Sequence, residues 1–231
     1  MEVILDSGAI STTIRDVLEE WKNDFSSLFV SKTNCSSFVP GVGDNSIPFN
    51  EHMYVLEIKR AVDSAKRGKP LGADSIYIEV LKNDVAILFT HTLFNICFDK
   101  GIVPSIWGKC IINPIPKSSS SDPRDPLSYR GIALASSVYK IYCAVLNNRL
   151  NFWVENNDKL EDEQCGFRKR RSTIDQLLAL TNLVDTRKKL KQSTFTAFVN
   201  FKKAYDFINR DKLWKRLLSV RKSLLWNSTA V

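Results

Sequence analysis

Phe195 to Asp206 reads FTAFVNFKKAYD. Its first half alternates as a β-strand does, and its second half breaks into a charged, helix-leaning segment. Strand side chains alternate with period two, so Thr196, Phe198 and Asn200 fall on one face. The alternation predicts a strand over Phe195–Phe201 with Asn200 at its carboxyl end. A carboxylate there would suit a metal ion, but the residue is an amide. A lone strand cannot make a stable sheet, so this stretch reads as part of a larger fold.

Upstream of that strand the chain is mainly helical. Ile10, Ile14, Val17, Leu18, Trp21, Phe25, Leu28 and Phe29 recur at helical spacing and predict a helix over about Thr12–Phe29. Residues 31–50 read as a loop by composition. A second helix is expected from about Glu51 to Lys66, stopped by Gly68. A short one follows over Ser75–Lys82, and a longer one over Val85–Asp99 is ended by Gly101. Cys110–Ile115 reads as a short strand closed by Pro116, Lys117–Pro126 as a polar loop, and Ala135–Trp153 as a helix. Ser172 with Asp175 three residues on has the pattern of a capping box. The helix it opens carries Ile174, Leu177, Leu178, Thr181 and Val184 as the expected buried stripe. That helix ends in Arg187, Lys188 and Lys189, cations suited to the negative end of its dipole. A last helix is expected over Arg210–Leu218, followed by a tail without period. The fold class is therefore α+β, helix-rich, with one strand late in the chain.

Charge is distributed unevenly. Residues 1–164 carry 17 Lys/Arg against 21 Asp/Glu, whereas residues 165–231 carry 16 against 4. The second stretch has the character of a surface facing a polyanion. Five cysteines without a CxxC pair, and two histidines, argue against a zinc site or a disulfide framework. That usage fits a reducing intracellular compartment, cytoplasmic or nuclear. No signal peptide is read at MEVILDSGAI. The apolar run Val85–Phe98 is broken by polar residues and is too short for the roughly 20 residues that span a bilayer.

Arg168, Lys169, Arg170 and Arg171 stand consecutively before the helix that Ser172 opens. Arginine presents a planar, multi-donor face to phosphate oxygens, and helix N-termini attract anions. Four cations beside a positive helix end repel one another without an anion, so a phosphate partner is expected. Lys188, Lys189, Lys191, Lys202 and Lys203 extend the candidate nucleic-acid surface.

Five strings occur in series: GKPLGADSIYIEVLK (68–82), DKGIVPSIWGKCIINPIPK (99–117), DPLSYRGIALASSVYKIYCAVLNNRL (125–150), QCGFRKRRSTIDQLL (164–178) and FVNFKKAYDFINRDKLW (198–214). Together they resemble the N-terminal part of a reverse transcriptase from a LINE-type (non-LTR) retrotransposon. The resemblance implies the helical fingers of a right-hand polymerase and the start of its palm. It implies RNA-templated DNA synthesis with Mg²⁺, an RNA template or RNA–DNA hybrid, and deoxynucleotide triphosphates as partners. Asn200 stands where the family places its first metal-binding Asp, and Tyr205 stands at the aromatic that screens the nucleotide sugar. Arg168 and Arg171 stand at fingers positions that approach phosphates or template. Arg170 is grouped with them as a phosphate contact, and Tyr129-Arg130 fall in an earlier fingers motif. Asp206 reads as supporting structure. The implied organisation is an N-terminal helix and linker over 1–50, a fingers-like region over 51–192, the start of the palm over 193–218, and a tail over 219–231.

The departures from the family are specific. GKPLGADSI stands for the usual GKAPGPDGI, so Ser75 occupies a glycine position. Tyr129-Arg130-Gly131-Ile132 stands for YRPI, Arg170 replaces a frequent glycine, and Asn200 replaces Asp. The family pattern is expected to end after Arg221, and no two Asp residues are adjacent in these 231 residues. Two-metal chemistry clamps metal ions between carboxylates, and Mg²⁺ prefers charged oxygens. Asn200 offers one neutral oxygen, so no metal site is expected to be intact. Three readings follow: a polymerase-family segment that is catalytically inactive, a non-catalytic RNA-binding module of polymerase descent, or the decayed product of a mobile element. Oligomeric state is not encoded in any of these motifs.

Overall fold

The computed structural model describes residues 2–5, 7–29, 51–118, 122–201, 204–205 and 208–227. In chain order the elements are β1 (Val3–Ile4), β2 (Ile10–Ser11), α1 (Ile14–Phe29), α2 (Val55–Ser64), α3 (Ile78–Leu81), α4 (Asp84–Lys100), β3 (Ile111–Pro116), β4 (Tyr129–Leu134), α5 (Ser137–Asn156), α6 (Thr173–Lys189) and α7 (Arg210–Asn227). The α+β class holds. The loop expected over 31–50, and Lys202, Lys203 and Asp206, lie outside the described residues, as do residues 119–121 of the Lys117–Pro126 loop. The chain divides into two units, Met1–Leu150 and Asn151–Val231.

The first unit is built on helices whose ends the sequence marks. The Asn83 side chain accepts the Val85 N–H at 2.9 Å and so caps α4. Gly101 closes the same helix at φ 63°, a left-handed conformation that glycine adopts without steric cost. Ile58 and Val62 of α2, Leu81 of α3, Phe94 of α4, and Ile141 and Val145 of α5 form the buried core. Phe94 meets Trp107 and Tyr142 edge-on, with centroids 6.1 and 5.1 Å apart. The buried Asn95 amide acts as a clasp. It accepts the Met53 N–H at 2.7 Å and donates to the Met53 carbonyl at 3.1 Å, tying the approach to α2 onto α4.

β3 and β4 form an antiparallel pair, in register from Ile111 opposite Leu134 to Pro116 opposite Tyr129. Sequence periodicity identifies β3 but not β4, because Tyr129–Leu134 contains Gly131 and is a strand through its pairing with Ile111–Pro116. Helix α1 presents aromatic rings to this hairpin: Trp21 meets Tyr129 at 5.0 Å and stacks with Phe25 at 5.6 Å. A Cβ on Gly131 would fall 2.5 Å from Phe25 Cε1 and 3.0 Å from Ile112 Cγ2. The glycine that replaces the family's proline is therefore what lets Phe25 approach.

Within the second unit three expectations are corrected. Phe195–Phe201 is not a strand; among the described residues it pairs with none. Alternation alone supplies no partner for backbone N–H and C=O groups, and the segment has no regular secondary structure, with Phe195, Phe198 and Phe201 exposed. The expected stripe on α6 is not buried: Ile174, Leu177, Leu178 and Val184 are all exposed. Periodicity identifies the apolar face but cannot supply a surface to cover it. Finally, α7 does not stop at Leu218 but continues to Asn227 through the stretch whose sequence lacks a clear period.

Candidate functional site

The basic string before α6 is held in a definite shape. Glu155, in the last turn of α5, receives Arg168 Nη2 at 2.8 Å and Arg168 Nε at 3.0 Å. Arg168 Nη1 also donates to the Glu161 carbonyl at 2.9 Å. The Arg168 side chain is only 11% exposed. Hydrogen bonds from Arg168 hold the Glu155 carboxyl below its ordinary pKa, and the same bonds with Glu155 raise that of Arg168. Arg171 pairs with Asp162 at 2.8 Å. Gln176, one turn into α6, donates to the Glu163 carbonyl at 2.7 Å and lies 3.0 Å from the Cys165 sulfur. The loop is thus fastened to α5 at one end and α6 at the other.

The expected capping box forms: the Ser172 N–H donates to the Asp175 carboxylate at 2.7 Å. Ahead of it, Phe167 and Arg170 have φ of 63° and 62°. Both are left-handed, which costs an L-residue roughly 1–2 kcal/mol. Arg170 adopts the geometry for which the family's frequent glycine is suited. Tyr205 meets Phe167 edge-on, with centroids 6.3 Å apart and planes at 87°. The loop and one expected site residue are thereby brought together. A cleft of about 620 Å³ lies beside the loop, lined among others by Lys159, Glu161, Phe167, Arg168 and Arg216.

The other expected residues are placed as follows. Lys188 and Lys189 are exposed in the last turn of α6, and Lys191 follows at φ 57°, where its N–H donates to the Lys188 carbonyl at 3.0 Å. Asn200 is exposed in a segment without regular secondary structure, not at a strand end. Arg130 is exposed on β4 of the first unit, opposite Ile115. Sequence reasoning missed Glu155, which lies 13 residues from Arg168 in a helix with no local signal. It also missed Phe167, although that residue stands inside the quoted loop string.

A family model described as "Reverse transcriptase (RNA-dependent DNA polymerase)" matches residues 115–229. Two relatives from Drosophila melanogaster extend the likeness. The "Probable RNA-directed DNA polymerase from transposon BS" is 30% identical over 161 residues, covering 69% of this chain and 18% of the relative. The "RNA-directed DNA polymerase from mobile element jockey" is 28% identical over 152 residues, covering 65% and 16%. The chain belongs to the reverse transcriptase family. It spans less than a fifth of the length of these curated relatives. The family match runs to residue 229, so the pattern does not end at Arg221 as the motifs suggested; the helical continuation of α7 covers most of that difference.

The resemblance places Asn200 at a metal position, where it would offer Mg²⁺ a single neutral oxygen although a hard cation prefers charged ones. Among the described residues no three His, Cys, Asp or Glu side chains converge on one point. Nor is any helix among them long and apolar enough to cross a membrane.

Proposed function

We propose that this chain is the fingers and the opening part of the palm of a non-LTR retrotransposon's RNA-directed DNA polymerase, and that its own residues hold RNA without catalysing nucleotide addition. The fingers-like region would cover 51–192 and the palm start 193–218. The observation that carries the proposal is the fastened basic loop 164–171, inside a stretch with 16 Lys/Arg against 4 Asp/Glu. A surface of that composition meets a nucleic-acid backbone by releasing counterions, which makes binding strongly salt-dependent and weakly sequence-selective. Arg170, Arg171, Lys188, Lys189 and Lys191 supply the charge, with Arg130, Lys202 and Lys203 as further contacts. Arg168 contributes by positioning the loop. Tyr205 keeps the place of the aromatic that screens a nucleotide sugar, and Asn200 that of a metal ligand it cannot replace.

Two measurements test this. Primer extension on an RNA template with Mg²⁺ or Mn²⁺ gives no product above a buffer control; template-dependent extension overturns the non-catalytic reading. Fluorescence anisotropy with a labelled single-stranded RNA gives an affinity that falls linearly with salt on logarithmic axes. An affinity indifferent to salt overturns the assignment of the basic surface.

A further inference from the structure

Packing does not explain the placement of Phe167. It is 90% exposed and sits at φ 63°. A bulky residue in that region is an outlier, and such outliers persist where the surroundings enforce them, most often at functional sites. Here the surroundings do enforce it. Arg168, the next residue, is locked by Glu155 and the Glu161 carbonyl. On the other side, Gln164 Nε2 donates to the Gly166 carbonyl at 3.1 Å. The ring is therefore presented to solvent by a fastened loop. Its one described aromatic neighbour is Tyr205, itself 70% exposed, which meets it edge-on. An edge-on neighbour braces a ring without covering both of its faces. Cations follow directly at Lys169, Arg170 and Arg171.

We infer that Phe167 is a stacking platform for an unpaired base of single-stranded RNA, braced by Tyr205 and flanked by the cations that hold the adjoining phosphates. This rests on the RNA-holding function proposed above and names the contact that would give it a non-ionic component. Base–aromatic stacking is tolerant of sequence, because every base has a π-face, and it commonly accompanies a positively charged groove. An apolar platform in an acidic or neutral setting would suit a protein partner. Glu155 and Asp162 pair with Arg168 and Arg171, and Glu161 and Glu163 line the same cleft, so it is the basic run Lys169–Arg171 directly after Phe167 that favours a polyanion, and the flat exposed ring that favours one with unpaired bases.

The test uses the whole chain and a short single-stranded RNA carrying one 2-aminopurine, whose fluorescence falls on stacking. Wild type is expected to quench the probe and to bind single-stranded RNA more tightly than duplex RNA of the same length. Phe167→Ala is expected to lose the quench and about tenfold in affinity, with an unchanged slope against salt. Phe167→Trp restores both, and its own emission changes on binding, which shows that the loop has kept its form. Arg171→Ala is expected to change the salt slope while leaving the quench of the bound probe intact. If wild type binds RNA and Phe167→Ala matches it in affinity and quench, the stacking inference is overturned and RNA holding stands. If wild type binds no RNA at low salt, both fall. A single-stranded DNA arm separates the ligands: equal binding overturns the restriction to RNA.

Discussion

Glu155 and Arg168 face each other as two forks, with Oε2 to Nη2 at 2.8 Å and Oε1 to Nε at 3.0 Å. Arg168 resembles a phosphate-contacting residue by position, yet its donors are turned inward to the protein. The two roles give opposite predictions. If Arg168 positions the loop, Arg168→Ala and Glu155→Ala each weaken RNA affinity by a similar factor, about fivefold, and the double variant is no weaker than either, because coupled residues are not additive. If Arg168 contacts phosphate directly, Glu155→Ala frees a cation and binding tightens. Anisotropy titrations of the four proteins at one salt concentration decide it, and we expect the first outcome.

The Asn95 clasp carries a stability prediction. Its amide meets the backbone N–H and carbonyl of the buried Met53, and its Nδ2 also lies 3.1 Å from His91 Nε2 and donates to the His91 carbonyl at 3.2 Å. Leaving buried polar groups unsatisfied costs about 1–3 kcal/mol each. Asn95→Ala should therefore lower unfolding free energy by about 3 kcal/mol, measured by urea titration. Asn95→Asp should do comparable harm, since a carboxylate cannot donate to the Met53 carbonyl. An Asp variant as stable as wild type would mean that the donating arm is idle.

What the sequence reveals here depends on range. Asn83, Gly101, Ser172 and Asp175 act within a few residues, and each does locally what its type predicts. Tyr129–Leu134 becomes a strand only by pairing with Ile111–Pro116, so no local pattern announces it. Phe195–Phe201 shows the reverse failure, a strand-like alternation with no partner among the described residues. At the site, the cations and Tyr205 follow from motif position. Glu155, which fixes the loop, does not, because the sequence gives no sign that it faces Arg168. The exposure of Phe167 follows from the same fastening and is equally hidden.

The family departures separate into accommodated and unaccommodated ones, and glycine exchange distinguishes them. Gly131 replaces a proline, and Phe25 occupies the space a Cβ would need. Gly131→Ala should cost about 2 kcal/mol by overpacking, with part recovered in Phe25→Leu/Gly131→Ala. Ser75, by contrast, holds a family glycine position at φ 55°. Ser75→Gly relieves roughly 1–2 kcal/mol of left-handed strain but gives back about 0.4–1 kcal/mol through the freer unfolded chain. A net gain of about 0.5 kcal/mol is expected, against a loss for Ser75→Val. Thermal scans of these variants check the signs, and a stabilising Ser75→Val would contradict the left-handed geometry.

Glu57 gives the first unit a specific acid sensitivity. Arg149 reaches it with Nε at 2.8 Å and Nη2 at 2.6 Å, and the Tyr54 N–H donates to it at 2.8 Å. Burial pushes the Glu57 carboxyl up, but the Arg149 and Tyr54 hydrogen bonds outweigh burial and hold it below its ordinary value of 4.5. A carboxylate depressed in the folded state stabilises it fully above the unfolded pKa, and the contribution fades as pH falls through the lower folded value. Glu57→Gln keeps the capping acceptor at Tyr54 but loses the charge facing Arg149, and should cost about 2 kcal/mol at neutral pH. As pH drops below about 4.5 the wild type loses the same charge, so the two melting temperatures should converge. A gap that stayed constant from pH 7 to pH 3 would place the acid sensitivity elsewhere in the unit and leave Glu57 with only its capping role.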